Sequence, residues 1–203
     1  MTRPAREPVL SPRKIAVQLR AARTLEAIIE AAARILESHG LEGYTTNAIA
    51  ARAGVSIGSL YQYFPNKDAI TLALISREAT GLRDEVRQAA GLEDWRQSLE
   101  LMIEAAVRHQ LRRPRLARLL DIEELRLPNP DEERVAGAIH MALRAVLDRA
   151  EGAVAISAER AATDIIGITR GMADMAGRDA AAKPEHLRQG LRRAVFGYLA
   201  YSD

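Results

Sequence analysis

At 203 residues the chain fits one globular domain or two small ones, and its eight aromatic residues (one Trp, five Tyr, two Phe) leave it dominated by helix formers, so an all-α fold is expected. The absence of Cys excludes disulfides, thiolate metal sites and a cysteine nucleophile. No stretch has the uncharged apolar length that spans a bilayer, and no signal-like block opens the chain, which is read as cytoplasmic and without membrane contact. The net charge of +2 hides an uneven distribution: up to Arg23 the basic residues Arg3, Arg6, Arg13, Lys14, Arg20 and Arg23 face a single acid, Glu7.

Pro4, Pro8 and Pro12 keep the first dozen residues irregular, and a helix can begin after about Arg13. Residues 1–22 are therefore expected to be a basic, partly flexible arm, suited either to a DNA backbone or to nothing but solvent. Leu25, Ile28, Ile29, Ala32, Ile35 and Leu36 recur at helical spacing and end at His39 and Gly40, a cation followed by a C-terminal glycine. Two short helical segments follow, over 46–53 and 56–64, each too short to stand without packing on the first helix. A long helix starts near Asn66, a good N-cap, with Ile70, Ala73 and Leu74 on one side.

Beyond about Gly91 the chain reads as helix after helix. Trp95, Leu99, Met102, Ile103, Ala106 and Val107 form one stripe, interrupted at Arg113 and Pro114. A shorter helix runs on to about Leu125, and Leu127-Pro128-Asn129-Pro130 breaks it. Asp131 opens a helix with Val135, Ile139, Leu143, Val146 and Leu147 inward; after a Gly152 loop, Ser157 caps a helix bearing Ile165, Ile168, Met172 and Ala176. Pro184 starts the last helix, with Leu187, Leu191, Ala194, Val195 and Tyr198. The expectation is nine helices and no strand, with domains at 23–68 and 69–203 after the arm.

The stretch from Tyr44 to Lys67 is the informative one. Gly54 lies where the chain must turn sharply between two helices, and a residue without Cβ takes the left-handed conformation such a turn needs. Val55 is placed inside the turn and Ser56 to cap the next helix. Leu60 and Phe64, four apart, share the inward face, so Ile57, Gly58, Ser59, Tyr61 and Gln62 are left to look outward. Small groups there allow close approach to a groove floor, Ser and Gln can bond base edges, Ile57 can meet a thymine methyl, and tyrosine hydroxyls can reach phosphates. Tyr44 and Phe64 are read as core.

These residues closely resemble the TetR family of bacterial transcriptional regulators over about 23–72, whose signature pairs Thr-x-x-x-Ile-Ala-x-x-Ala-Gly-Val-Ser with Gly-x-Leu-Tyr-x-Tyr-Phe-x-x-Lys. The resemblance implies that Ile57, Gly58, Ser59 and Tyr61 read bases, that Thr46, Gln62, Tyr63 and Lys67 grip phosphate, and that Asn47 does either. It gives the arm residues Arg13, Lys14, Arg20 and Arg23 a place along the DNA backbone or in a minor groove. A departure is the missing acidic residue after Thr45 and Thr46, so no capping box is expected.

For the remainder the resemblance implies a helical domain that binds a small-molecule effector, its last two helices forming a homodimer. Gly167 and Gly171 permit close helix approach, and the candidate interface is Ile165, Ile168, Met172, Leu187, Leu191, Ala194, Val195 and Tyr198, unless those stripes face the protomer's own core. Candidate pocket residues are Trp95, Met102, His109, Met141, Arg170, Met172 and Asp174, with plain core or a surface pair as the alternative. The acid clusters Asp121/Glu123/Glu124 and Asp131/Glu132/Glu133 read as solvated helix turns. None of His39, His109, His140 or His186 follows a Glu by three residues, and no phosphate loop or nucleophile setting occurs, so no catalytic residue, metal or cofactor is expected. The expected function is a repressor that binds a palindromic double-stranded operator as a dimer, joins the nucleoid when bound, and is released by a small molecule. The alternative is a DNA-binding regulator without an effector, its second domain serving only dimerisation or docking.

Overall fold

The computed structural model describes residues 12–127, 130–150, 156–179 and 181–201; of residues 12–16 and 130–132 only the backbone is described. The prolines before residue 11 and the Gly152 loop thus lie outside the described residues, as do the side chains of Arg13, Lys14, Asp131 and Glu132. Among the described residues there are nine helices and no strand, and the chain divides into two compact units, Met1–Ile70 and Thr71–Asp203.

The first unit holds α1 (Pro12–Gly43), α2 (Thr46–Ala53), α3 (Ile57–Tyr63) and the start of α4 (Lys67–Ala90). Helix α1 begins earlier than the expected arm boundary at residue 22. Pro12 has the fixed φ suited to a first helical turn, and nothing between it and Gly40 breaks the helix, so Arg20 and Arg23 sit on it as exposed residues. The helix breaks at Gly40, whose φ of 66° only glycine adopts readily, and adds one short turn to Gly43, where a Cβ would collide with His39.

Ile28, Ile29, Ala32, Ile35 and Leu36 of α1 are nearly or fully buried, as are Tyr44, Ile49, Leu60, Phe64 and Ile70, and α1 packs on α2 and α2 on α3. Each Leu or Ile so buried contributes on the order of 1.5–3 kcal/mol, and this packing holds α2 and α3, which are shorter than a self-supporting helix. Leu25 was expected in this stripe but is partly exposed, and Val55 is half-buried rather than sealed inside its turn.

In the second unit Pro114, Pro130 and Pro184 each stand at the head of a helix, giving α5 (Trp95–Arg112), α6 (Pro114–Arg126), α7 (Pro130–Asp148), α8 (Ala158–Arg178) and α9 (Pro184–Ala200). Asp94 caps α5 by accepting from the Arg96 N–H at 2.8 Å, and Ser157 caps α8. The core joins Val86 of α4, Leu99, Ile103 and Val107 of α5, Val146 and Leu147 of α7, Ala161 and Ile165 of α8 and Leu191 and Val195 of α9. Two ion pairs fasten α9 to α5, Arg188 with Glu104 at 2.5 Å and Arg192 with Glu100 at 2.8 Å. The Arg149 guanidinium donates to the carbonyls of Ala90 and Leu92, each at 3.0 Å, closing the turn between α4 and α5.

Candidate nucleic-acid interface and an aliphatic cavity

In the first unit the turn before α3 is built as its sequence dictates. Gly54 ends α2 in the left-handed conformation (φ 69°, ψ 29°), its N–H directed to the carbonyls of Ala50 and Ala51. Ser56 Oγ accepts from the Ser59 N–H at 3.0 Å, capping α3, and Thr45 Oγ1 accepts from the Ala48 N–H at 3.1 Å, capping α2 without a capping box. With Leu60 fully buried and Phe64 nearly so, α3 cannot rotate without losing its anchors.

The outward face carries Ile57, 39% exposed, Tyr61, 49% exposed, and exposed Gly58 and Gln62. Ser59 and Tyr63 are half-buried, and the Ser59 hydroxyl lies 2.9 Å from that of Ser56, so it already shares in the cap. Thr46 Oγ1 and Tyr61 Oη are 3.3 Å apart, joining the start of α2 to the middle of α3; Asn47 is exposed beside them. Asn66 Oδ1 accepts from the Ala69 N–H at 2.8 Å and caps α4, whose first residue, Lys67, is exposed with its Nζ 5.6 Å from the centre of the buried Tyr44 ring.

The second unit encloses a cavity of about 540 Å³, within the range of small-molecule sites. Its described walls contain no Phe, Tyr or Trp; the apolar lining is aliphatic, from residues such as Ile75, Leu82, Ile103, Leu116, Leu143 and Ile166. Met102, His109, Arg170 and Asp174 line it as expected from sequence. Trp95, Met141 and Met172 do not. Trp95 sits at the head of α5 with Arg96 over its ring at 4.4 Å, Met141 is 71% exposed, and Met172 turns its methyl towards Gly190 of α9.

Sequence reasoning missed Gln110, Asp121 and Glu124, which also line the cavity. The acid cluster of α6 is not a solvated turn: Glu123 is buried and paired with Arg126 at 2.6 Å, while Asp121 and Glu124 share the stripe of Leu116 and Leu120. That stripe, at spacings of three, four and five residues, was the available signal. Arg170 pairs with Glu124 across to α6, at 3.7 Å, rather than simply with its neighbour on α8. Burial holds His109 below the usual histidine range, helped by Arg112 and opposed by Glu78 and Glu85. Burial and the nearby Asp174 push the Asp121 carboxyl up, opposed by Arg170 and Arg178.

Half of the residues expected at a dimer interface belong to the protomer's own core. Ile165, Leu187, Leu191 and Val195 are buried within this unit, because α9 lays its apolar stripe onto α5 and α8. Ile168, Met172, Ala194 and Tyr198 are half-buried, beside exposed Gly167, Gly171, Met175 and Gly197. Tyr198 Oη donates to Asp164 Oδ2 at 2.6 Å, and the same oxygen accepts from Arg160 at 2.8 Å. Among the described residues no helix is long and apolar enough to cross a membrane, and no group of three or more His, Asp or Glu is placed to hold a metal ion.

The sequence matches the family described as bacterial regulatory proteins, tetR family, over residues 28–74, and the tetracyclin repressor-like C-terminal domain over residues 94–199. It is 35% identical over 81 residues to the HTH-type transcriptional repressor DrrR1 of Streptomyces coeruleorubidus, covering 39% of this chain and 28% of that protein. It is 34% identical over 71 residues to the A-factor receptor protein of Streptomyces griseus, covering 35% and 26%. The matched stretch thus spans about a quarter of the length of these two relatives. The fold is shared with the fatty acid degradation regulator FadR of Bacillus halodurans, with a TM-score of 0.70 at 21% identity over 85% of this chain and 97% of that one. With the second of the two family matches spanning half of its length and the first falling on the helix-turn-helix, the chain belongs to the TetR family of DNA-binding bacterial regulatory proteins.

Proposed function

We propose that the protein is a transcriptional repressor that holds a palindromic operator as a homodimer and lets it go when a small molecule enters the cavity of the second unit. The observation that carries the reading is the outer face of α3: Ile57, Gly58, Tyr61 and Gln62 are exposed on a short helix pinned from behind by Leu60 and Phe64. A rod so anchored lies in a major groove, Ile57, Gly58, Ser59 and Tyr61 at base edges, Thr46, Gln62, Tyr63 and Lys67 at phosphates, and Asn47 at either. Arg20 and Arg23, exposed on α1, add positive charge to this unit. The remaining outer surfaces of α8 and α9, with Gly167, Gly171, Met175 and Gly197, supply the symmetric contact.

Two reading helices in a dimer must enter grooves about 34–36 Å apart, so a small change of spacing lowers affinity without touching a DNA contact. Helix α4 gives the cavity Ile75, Glu78, Leu82 and Val86 and runs back to Lys67, which makes it the element through which an occupant acts. The cavity favours this reading over a second unit that serves dimerisation alone. The coupling is reciprocal: operator DNA weakens effector binding by the factor by which effector weakens operator binding.

Selection from random duplexes tests the reading and should return a palindrome. On the selected operator, Tyr61→Ala should relax preference at particular bases by about 1–3 kcal/mol, whereas Lys67→Ala should weaken all sequences alike and lower the salt slope by about one. Uniform loss from both would sink the division into readers and grippers, and no selected sequence at all would sink the repressor.

A further inference from the structure

The cavity wall carries three polar side chains from three helices, Gln110 of α5, Asp121 of α6 and Asp174 of α8, the last close enough to act on the Asp121 carboxyl. Gln110 is only 7% exposed, and among the described residues neither its amide nor either carboxyl has a hydrogen-bond or ion-pair partner. The positive groups of the wall are in the opposite condition. Arg112 pairs with Glu78 at 3.1 Å, Arg170 with Glu124 at 3.7 Å, and Arg113 is also engaged. His140 is bonded to Thr163 at 3.1 Å.

We propose that the cavity accepts an aliphatic primary amine, its ammonium held by Gln110, Asp121 and Asp174 and its alkyl body lying against the aliphatic part of the wall. The inference rests on the reading of the cavity as an effector site. An ammonium offers three donors and no acceptor, and the three groups offer two carboxyls and an amide carbonyl. A buried charge is tolerated where it is paired and hydrogen-bonded, and here the pair of like charges is what the cation relieves. Burial and then Asp174 push the Asp121 carboxyl up, against the opposing pull of Arg170 and Arg178. An anionic head would meet two carboxyls and would have to displace guanidinium groups from partners they already hold. A flat aromatic cation would find no Phe, Tyr or Trp face among the described walls to stack on.

Calorimetry on the full chain with n-octylamine, n-octanol and n-octanoate, eight-carbon chains that end in different head groups, tests the charge preference; 2-(1-naphthyl)ethylamine tests the body. Octylamine is expected to bind at least tenfold more tightly than each of the other three. In the Asp121→Asn, Asp174→Asn double variant, octylamine should fall to the affinity of octanol while octanol is unchanged, with helix content and melting confirming the fold. Octanoate or the naphthyl amine binding as tightly as octylamine overturns the inference, as does an unaltered octylamine affinity in the double variant or no binding of any probe. Operator occupancy, followed separately, distinguishes the two readings. Octylamine that binds without releasing operator refutes the repressor's ligand response and leaves the amine site standing, whereas release by an octanoate that binds better refutes the amine site alone.

Discussion

A single buried leucine and a single glycine hold the outward face of α3 in place. Leu60 is fully buried under α3, and Leu60→Ala leaves a cavity that should destabilise the first unit by about 2–5 kcal/mol in urea unfolding, with operator binding lost in parallel. Gly54 has no atom near where a Cβ would stand, so Gly54→Ala is opposed by its φ of 69° alone, by about 1–2 kcal/mol. These two residues were legible in the sequence because their roles are local: a turn between helices dictates Gly, and i, i+4 spacing dictates the inward side. Gln110 and Asp121 were not legible. Each is a polar residue on an apolar helical stripe, and sequence spacing does not say whether such a stripe closes on itself or around a space.

At the level of whole helices, periodicity located the apolar stripes but did not name what covers them. The stripe of α9 was read as half of a dimer contact, yet Leu187, Leu191 and Val195 bury against α5 and α8 of the same chain. What is left for a partner is a shallower surface of small residues. Nothing lies within 4 Å of a Cβ built on Gly171, so Gly171→Glu fits the protomer while placing a charge on that surface. The variant should sediment as a monomer with helix content intact and with operator affinity sharply reduced; a dimer of ordinary affinity would move the interface elsewhere. The start of α1 was legible by local logic: a helix was expected from about Arg13 and begins at Pro12, a residue suited to a first helical turn.

For the molecule as a whole, the cavity sets how stability responds to acid. His109 is held below its ordinary value of 6.5 by burial, with Glu78 and Glu85 of α4 and Arg112 of α5 around it, so the unfolded chain takes up a proton before the folded one. Stability is therefore fully present above about pH 6.5 and declines as pH falls from there to the lowered folded value. Melting between pH 7.5 and 5.5 should fall more steeply in the native chain than in His109→Gln, and equal slopes would show that another group governs. Asp121 acts with the opposite sign. Its carboxyl is raised above 3.8, so the stability it lends is complete below that value and disappears as pH rises through the folded one. Any molecule that binds the cavity of the folded chain and not the unfolded chain would add to this stability by mass action. In a cell that destroys unfolded chains, the number of copies of the protein would then rise and fall with the supply of such a molecule.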